Sequence, residues 1–142
     1  MERVNFFSHD RRTNLRNRKR LKEFIQDLFS KEKRDLENLS YIFCSDKYLL
    51  EINTRFLKHD FYTDVITFDL SSGRNGIEGE IYLSVDRIKK KKKKIGVSFN
   101  EELHRVVFHG ALHLCGYNDK SKTQQREMRV KENEYLLKYF NK

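Results

Sequence analysis

Two histidines four residues apart, His109 and His113, stand in the segment His109-Gly-Ala-Leu-His113-Leu-Cys-Gly116-Tyr117-Asn118-Asp119. On an α-helix this spacing puts both imidazoles on one face with Cβ atoms about 5–6 Å apart, a separation that two rings can close onto one ion. A tetrahedral zinc ion, with Zn–N bonds of about 2.0–2.1 Å, then needs a third ligand from outside the helix. Gly116 can end the helix in a left-handed turn and send the chain back, which places Asp119 for that role. With side chains rotating through the 3.6-residue helical period, Leu103, Val107, Gly110 and Leu114 form the main apolar face, and the histidines lie together on its flank. Cys115 points away from both and is assigned to packing.

Three protein ligands with an open fourth position describe a catalytic zinc, one ion, rather than a closed structural one. Water on such an ion has its pKa lowered toward about 7 and serves as nucleophile or base, so hydrolysis is the natural reaction class. Beyond that metal-bound water no catalytic group is assigned, and Asp64 and Glu80 are the next candidates for third ligand if Asp119 is not it. A zincin-type metalloprotease carries its general-base glutamate directly after the first histidine. Here that position is Gly110, so peptide hydrolysis lacks its usual proton shuttle.

The elements that must hold this site follow from pattern. Val4 to Phe7 is a short strand candidate, and Asn14 to Lys31, with Leu15, Leu21, Phe24, Ile25, Leu28 and Phe29 at helical spacing, predicts an amphipathic helix. Tyr41 to Cys44 is β-rich and precedes a helical stretch from Asp46 to Phe56. Thr63 to Leu70 and Glu80 to Val85 predict a hairpin-like strand pair through the turn from Ser71 to Gly76. Asp86 to Ile95 reads as helix, as does the histidine segment from Ser98, whose Glu101 completes a capping-box signal, to Cys115. A last helix runs from Thr123 to Phe140 with Met128, Tyr135, Leu136 and Tyr139 inward. Strands and helices mix without strict alternation, which predicts an α+β class: one sheet of about four strands covered by about five helices, with a zincin-like metal site at the end of a helix. Proline is absent and no repeat or linker divides the chain, so residues 1–142 are expected to form one domain.

Composition narrows the partners. The 30 Lys and Arg against 21 Asp and Glu leave a charge of +9, which suits a polyanion such as RNA. The excess is uneven: a mildly acidic middle, residues 36–85, lies between basic segments, and the steepest of these holds Lys89, Lys90, Lys91, Lys92, Lys93 and Lys94 in succession. Six consecutive lysines point all round a helix, so about half at most can face one ligand, and contact with RNA phosphates gives affinity without sequence choice. Phe61, Tyr62 and Tyr117 could stack on bases near the site, with core packing the expected role for most aromatics. Two cysteines in no paired spacing, no apolar run of membrane length and no signal-peptide stretch predict an unexported protein in a reducing, cytoplasmic setting.

Three segments together are similar to a known family. His109 to Asp119 closely resembles the H-G-x-L-H-L-x-G-Y-D-H signature of the YbeY family of bacterial endoribonucleases. Asn53 to Phe68 resembles that family's N-x-x-x-R-x-x-D-x-x-T-D-V-L-S-F segment, and Gly79 to Ser84 its G-D-I-x-I strand. The resemblance implies a zinc ion, cleavage of single-stranded RNA, and a role in small-subunit ribosomal RNA maturation and ribosome quality control, with ribosomal RNA and the small ribosomal subunit as partners. Asp119 stands where the family usually has a third histidine, Asn118 where it has aspartate, and Leu57 where it carries an arginine. A carboxylate also ligates catalytic zinc, so binding survives the first change. The auxiliary cation stays open, with Arg55 two residues earlier pointing elsewhere on a helix. The competing reading is a non-catalytic, metal-stabilised RNA- or ribosome-binding protein.

Overall fold

The computed structural model of the chain describes residues 2–73 and 75–141. Strand β1 (Val4–Ser8) leads through helix α1 (Arg18–Lys31) into β2 (Leu36–Cys44). Helix α2 (Asp46–Leu57) then connects to β3 (Val65–Asp69) and β4 (Ile77–Ser84), and helices α3 (Val85–Ile95), α4 (Phe99–Leu114) and α5 (Lys122–Phe140) complete the chain. The four strands form one sheet in the order β1-β2-β4-β3. β2 runs parallel to both β1 and β4, and β3 is antiparallel to β4. The α+β class, the four strands and the five helices agree with the sequence expectation. No helix among the described residues is long and apolar enough to cross a membrane.

Strand alternation divides the sheet between two unequal cores. Leu39, Tyr41 and Phe43 of β2 with Ile81 and Leu83 of β4 face the large core, closed by α1, α4 and α5. The opposite face carries a small cluster, Cys44, Leu49, Ile52 and Ile66, under α2. Inside the large core the Tyr41 hydroxyl donates to the Val107 carbonyl of α4 at 2.9 Å. That bond satisfies a buried hydroxyl and fixes the helix against the central strand.

The close approach of α4 to the sheet depends on two residues without side chains. A Cβ at Gly110 would lie 2.8 Å from Ile81 Cδ1, and a Cβ at Gly79 would lie 2.7 Å from Leu114 Cδ1. Ile81 fills the gap over one glycine and Leu114 the gap over the other. The C-terminus of α4 turns at Gly116, whose φ of 109° is a conformation open mainly to glycine. The Gly116 N–H donates to the His113 carbonyl and the Tyr117 N–H to that of Leu112, the hydrogen-bond pair of a Schellman ending.

Several boundaries differ from the sequence expectation, among them β4, which runs Ile77–Ser84 rather than Glu80 to Val85. Helix α1 begins at Arg18 rather than Asn14, because Asn17 adopts a left-handed conformation, φ 53° and ψ 49°, at its N-cap. Leu15 is buried in the core without being helical. Strand β2 begins five residues before Tyr41, because Leu36 and Asn38 pair with β4 and Leu39 and Ser40 with both β1 and β4. β3 is confined to Val65–Asp69. Arg74 of the expected turn between β3 and β4 lies outside the described residues.

Candidate metal centre

The His109 and His113 side chains project from the last two turns of α4, and the chain returning from Gly116 brings Asp119 to them. The nearest ligand atoms of the three all lie within 4.8 Å of one another. His109 Nε2 and His113 Nε2 are 3.0 Å apart, and each is 3.3 Å from Asp119 Oδ2. The sequence expectation for these three residues and the geometry coincide.

The other ring nitrogens are committed. His109 Nδ1–H donates to Glu132 Oε2 of α5 at 2.5 Å, and His113 Nδ1–H donates to the Tyr117 carbonyl at 2.9 Å. A neutral imidazole that donates through Nδ1 carries a lone pair on Nε2. Two such lone pairs and a carboxylate oxygen therefore face a single point, an arrangement that repels itself until a cation or a proton occupies it. The donor set fits a metal ion: His109, His113 and Asp119 could bind one, and the Glu132 and Tyr117 contacts orient the imidazoles toward it.

Burial and partners set the charges around the cluster. Burial alone would lower the His109 pKa, but the Glu132 carboxylate outweighs it and holds the imidazole above its ordinary value. Burial, and then the facing His109, pull His113 down. Burial pushes Glu132 upward, yet the His109 N–H and the Arg105 guanidinium keep it below the ordinary carboxylate range. Arg105 Nη1 donates to Glu132 Oε1 at 2.9 Å and Nη2 to Asn133 Oδ1 at 2.8 Å. Glu132 is a functional position that sequence pattern did not supply. Its signal was available: it falls one turn after Met128 and just before Tyr135, a carboxylate on the otherwise apolar face of α5.

A cavity of about 400 Å³ opens beside the cluster, lined by His109, Asp119, Glu132, Arg105, Lys91, Asp64 and Glu102 among others. Within the lysine run, Lys91 alone enters this lining. Its Nζ lies 3.1 Å from Asp64 Oδ2 and 3.4 Å from Glu102 Oε2. Lys89, Lys90, Lys91, Lys93 and Lys94 are exposed and Lys92 is half-buried; among the described residues only Lys91 of the six forms an ion pair.

Other expected positions resolve differently. Glu80 faces the opposite side of the sheet, where it accepts a 3.0 Å hydrogen bond from the Tyr82 hydroxyl and lines a groove with Arg55. Neither Glu80 nor Arg55 reaches the cavity, whereas Asp64 lines it and pairs there with Lys91 rather than joining the three ligands. Leu57 closes α2 as a surface residue. Phe61 and Tyr62 are 51% and 54% exposed, so neither packs in the core as expected of most aromatics, and the Arg87 guanidinium sits 4.8 Å above the Tyr62 ring. Tyr117 is instead held inward, its hydroxyl donating to Glu32 at 2.8 Å. Cys115 is buried with its thiol pushed up to about 12 by burial, in keeping with a packing role.

Comparison with known proteins shows what the chain is similar to. The family described as Endoribonuclease YbeY matches residues 5–140. The protein named Endoribonuclease YbeY from Cytophaga hutchinsonii is 44% identical over 135 residues, covering 95% of this chain and 94% of its own length. Its namesake from Flavobacterium johnsoniae is 40% identical over 133 residues, covering 94% and 95%. The solution structure of TM1509 from Thermotoga maritima superposes with a TM-score of 0.65 at 28% identity, covering 94% of this chain and 87% of that one.

Proposed function

The chain belongs to the Endoribonuclease YbeY family, and from that membership we propose that it is a zinc-dependent endoribonuclease that cuts single-stranded RNA. Its place is the maturation of small-subunit ribosomal RNA and ribosome quality control in the cytoplasm, with ribosomal RNA and the small ribosomal subunit as partners. The observation that carries the chemistry is the convergence of His109 Nε2, His113 Nε2 and an Asp119 carboxylate oxygen on one point, with both Nδ1 atoms held as donors. A zinc ion held by His109, His113 and Asp119 would supply Lewis acidity for phosphodiester cleavage.

The chain's own residues set the conditions for that chemistry. Glu132 and the Tyr117 carbonyl hold the two imidazoles in the ligating tautomer. Arg105 neutralises the buried Glu132 and so keeps that carboxylate from competing as a free anion. Asp119, 41% exposed, sits at the mouth, where its charge is partly screened. The exposed lysines of α3 attract the RNA backbone, and the half-exposed rings of Phe61 and Tyr62 offer unpaired bases a stacking surface that a duplex cannot use. Peptide hydrolysis is disfavoured because Gly110, the position of the zincin glutamate, packs against Ile81.

The direct test is cleavage of one RNA sequence as a single strand and as a duplex, before and after chelation and with zinc restored. Cutting confined to the single strand, abolished by the chelator and recovered with zinc, is expected. A metal-loaded protein that binds the strand without cutting it would establish the non-catalytic reading instead. For the lysines, replacing Lys90, Lys92 and Lys93 by Gln is expected to weaken binding alike for unrelated sequences. It should also flatten the salt dependence by up to about 0.7 in log–log slope per lost phosphate contact. Unchanged affinity and slope would return the run to solvated surface.

A further inference from the structure

We propose that Lys91 is a catalytic residue, its ammonium meeting a non-bridging oxygen of the scissile phosphate in the cavity lined by His109 and Asp119; the proposal rests on the endoribonuclease reading above. Lys91 differs from its neighbours in the run by being anchored. Asp64, just ahead of β3, and Glu102, in the first turn of α4, hold its Nζ from two sides at 3.1 and 3.4 Å.

Glu102 shows how deliberate that anchoring is. Its side chain is 1% exposed, and neither carboxylate oxygen has a hydrogen-bond partner. Among the described residues Lys91 is the one cation within ion-pair distance of it. A buried carboxylate without compensation is costly, so the fold retains Glu102 in conjunction with Lys91. A lysine stem is ordinarily free to rotate in solvent; here two carboxylates fix it, and the ammonium is organised before substrate arrives. Burial would lower the Lys91 pKa, but Asp64 and Glu102 together keep it above the ordinary value.

The ammonium has three donors. Two face Asp64 and Glu102, and a phosphate oxygen can take the third without disturbing them. The remaining cations of the cavity are less suited. Arg105 is spent on Glu132 and Asn133, and Arg129, 58% exposed against 44% for Lys91, has only a 3.8 Å contact to Glu132 to hold it. Attack on a phosphodiester builds negative charge on the non-bridging oxygens, and a preorganised donor on them stabilises the transition state more than the ground state.

The test measures steady-state cleavage of a fluorogenic single-stranded oligoribonucleotide by the full chain. The variants are Lys91→Gln, Lys91→Arg, and Lys91→Gln combined with Glu102→Gln, which leaves no buried charge unpaired. Metal content and the urea unfolding midpoint are followed in parallel. Both Gln variants are expected to lose about 100-fold in kcat with KM nearly unchanged. The double variant should keep the wild-type metal content and midpoint, and Lys91→Arg should recover most of the loss. The triple replacement of Lys90, Lys92 and Lys93 is expected to act through KM instead. Wild-type cleavage with kcat within about twofold in both Gln variants would overturn the proposal alone. A loss that tracks metal content or the unfolding midpoint would assign Lys91 to the fold and overturn it too. Failure of the metal-loaded wild type to cut would overturn the endoribonuclease reading, and the proposal with it.

Discussion

Protein carrying His113→Ala is expected to lose its metal on gel filtration and to stop cutting RNA. With one imidazole gone, two ligands remain, too few for the tetrahedral arrangement that three protein ligands and an open position provide. Glu132→Gln is a graded companion. It removes the negative charge from the acceptor that fixes the His109 tautomer but leaves every ligand in place, and weakening such a supporting partner costs about 10- to 100-fold in metal affinity. Activity of Glu132→Gln should therefore return at high zinc concentration, whereas His113→Ala should stay inactive. Elemental analysis together with cleavage measured across a zinc titration checks both. Full metal occupancy in His113→Ala would mean that the ligand set lies elsewhere in the chain.

Gly110→Glu, which writes the metalloprotease H-E-x-x-H pattern into this chain, is expected to unfold the protein rather than create a protease. The Cβ alone would sit 2.8 and 2.9 Å from the Cδ1 and Cγ2 atoms of Ile81, so helix α4 would have to rise off the sheet. Overpacking of this kind costs about 1–3 kcal/mol, and a buried carboxylate without a partner adds more. The combined loss, about 4 kcal/mol or greater, is a large share of the 5–15 kcal/mol that holds a typical domain together. Gly110→Ala should show the steric part alone, a drop of about 1–3 kcal/mol measured by urea denaturation. A fully folded Gly110→Glu variant would refute the tight α4–β4 contact.

How far the sequence discloses this molecule depends on the range of each interaction. The metal cluster is legible because its ligands fall within eleven residues and because helical geometry with a glycine turn is local physics. The β3–β4 pair is legible for the same reason. Glu132 and His109 lie 23 residues apart and meet only because α5 packs on α4. Likewise the run of lysines reads uniformly in sequence, and only the docking of α3 against α4 and the start of β3 selects Lys91 from it. The first half of β2 is missed because alternation marks strands with one wet face, whereas Leu36 to Ser40 owe their conformation to pairing with β4 and, from Leu39 on, with β1 as well. The early start expected for α1 fails at Asn17, a single left-handed residue that no hydrophobic period reveals.

The support of His109 by α5 has a consequence for the order in which the chain is made. Synthesis delivers His109, His113 and Asp119 well before Glu132, and Met128, Tyr135 and Tyr139, which close the large core, arrive in the same late segment. A growing chain halted near residue 121 thus carries every ligand yet lacks both the clamp on His109 and the lid on the core. Such a chain should take up metal only weakly, so nuclease activity matures with the last helix rather than with the appearance of the ligands.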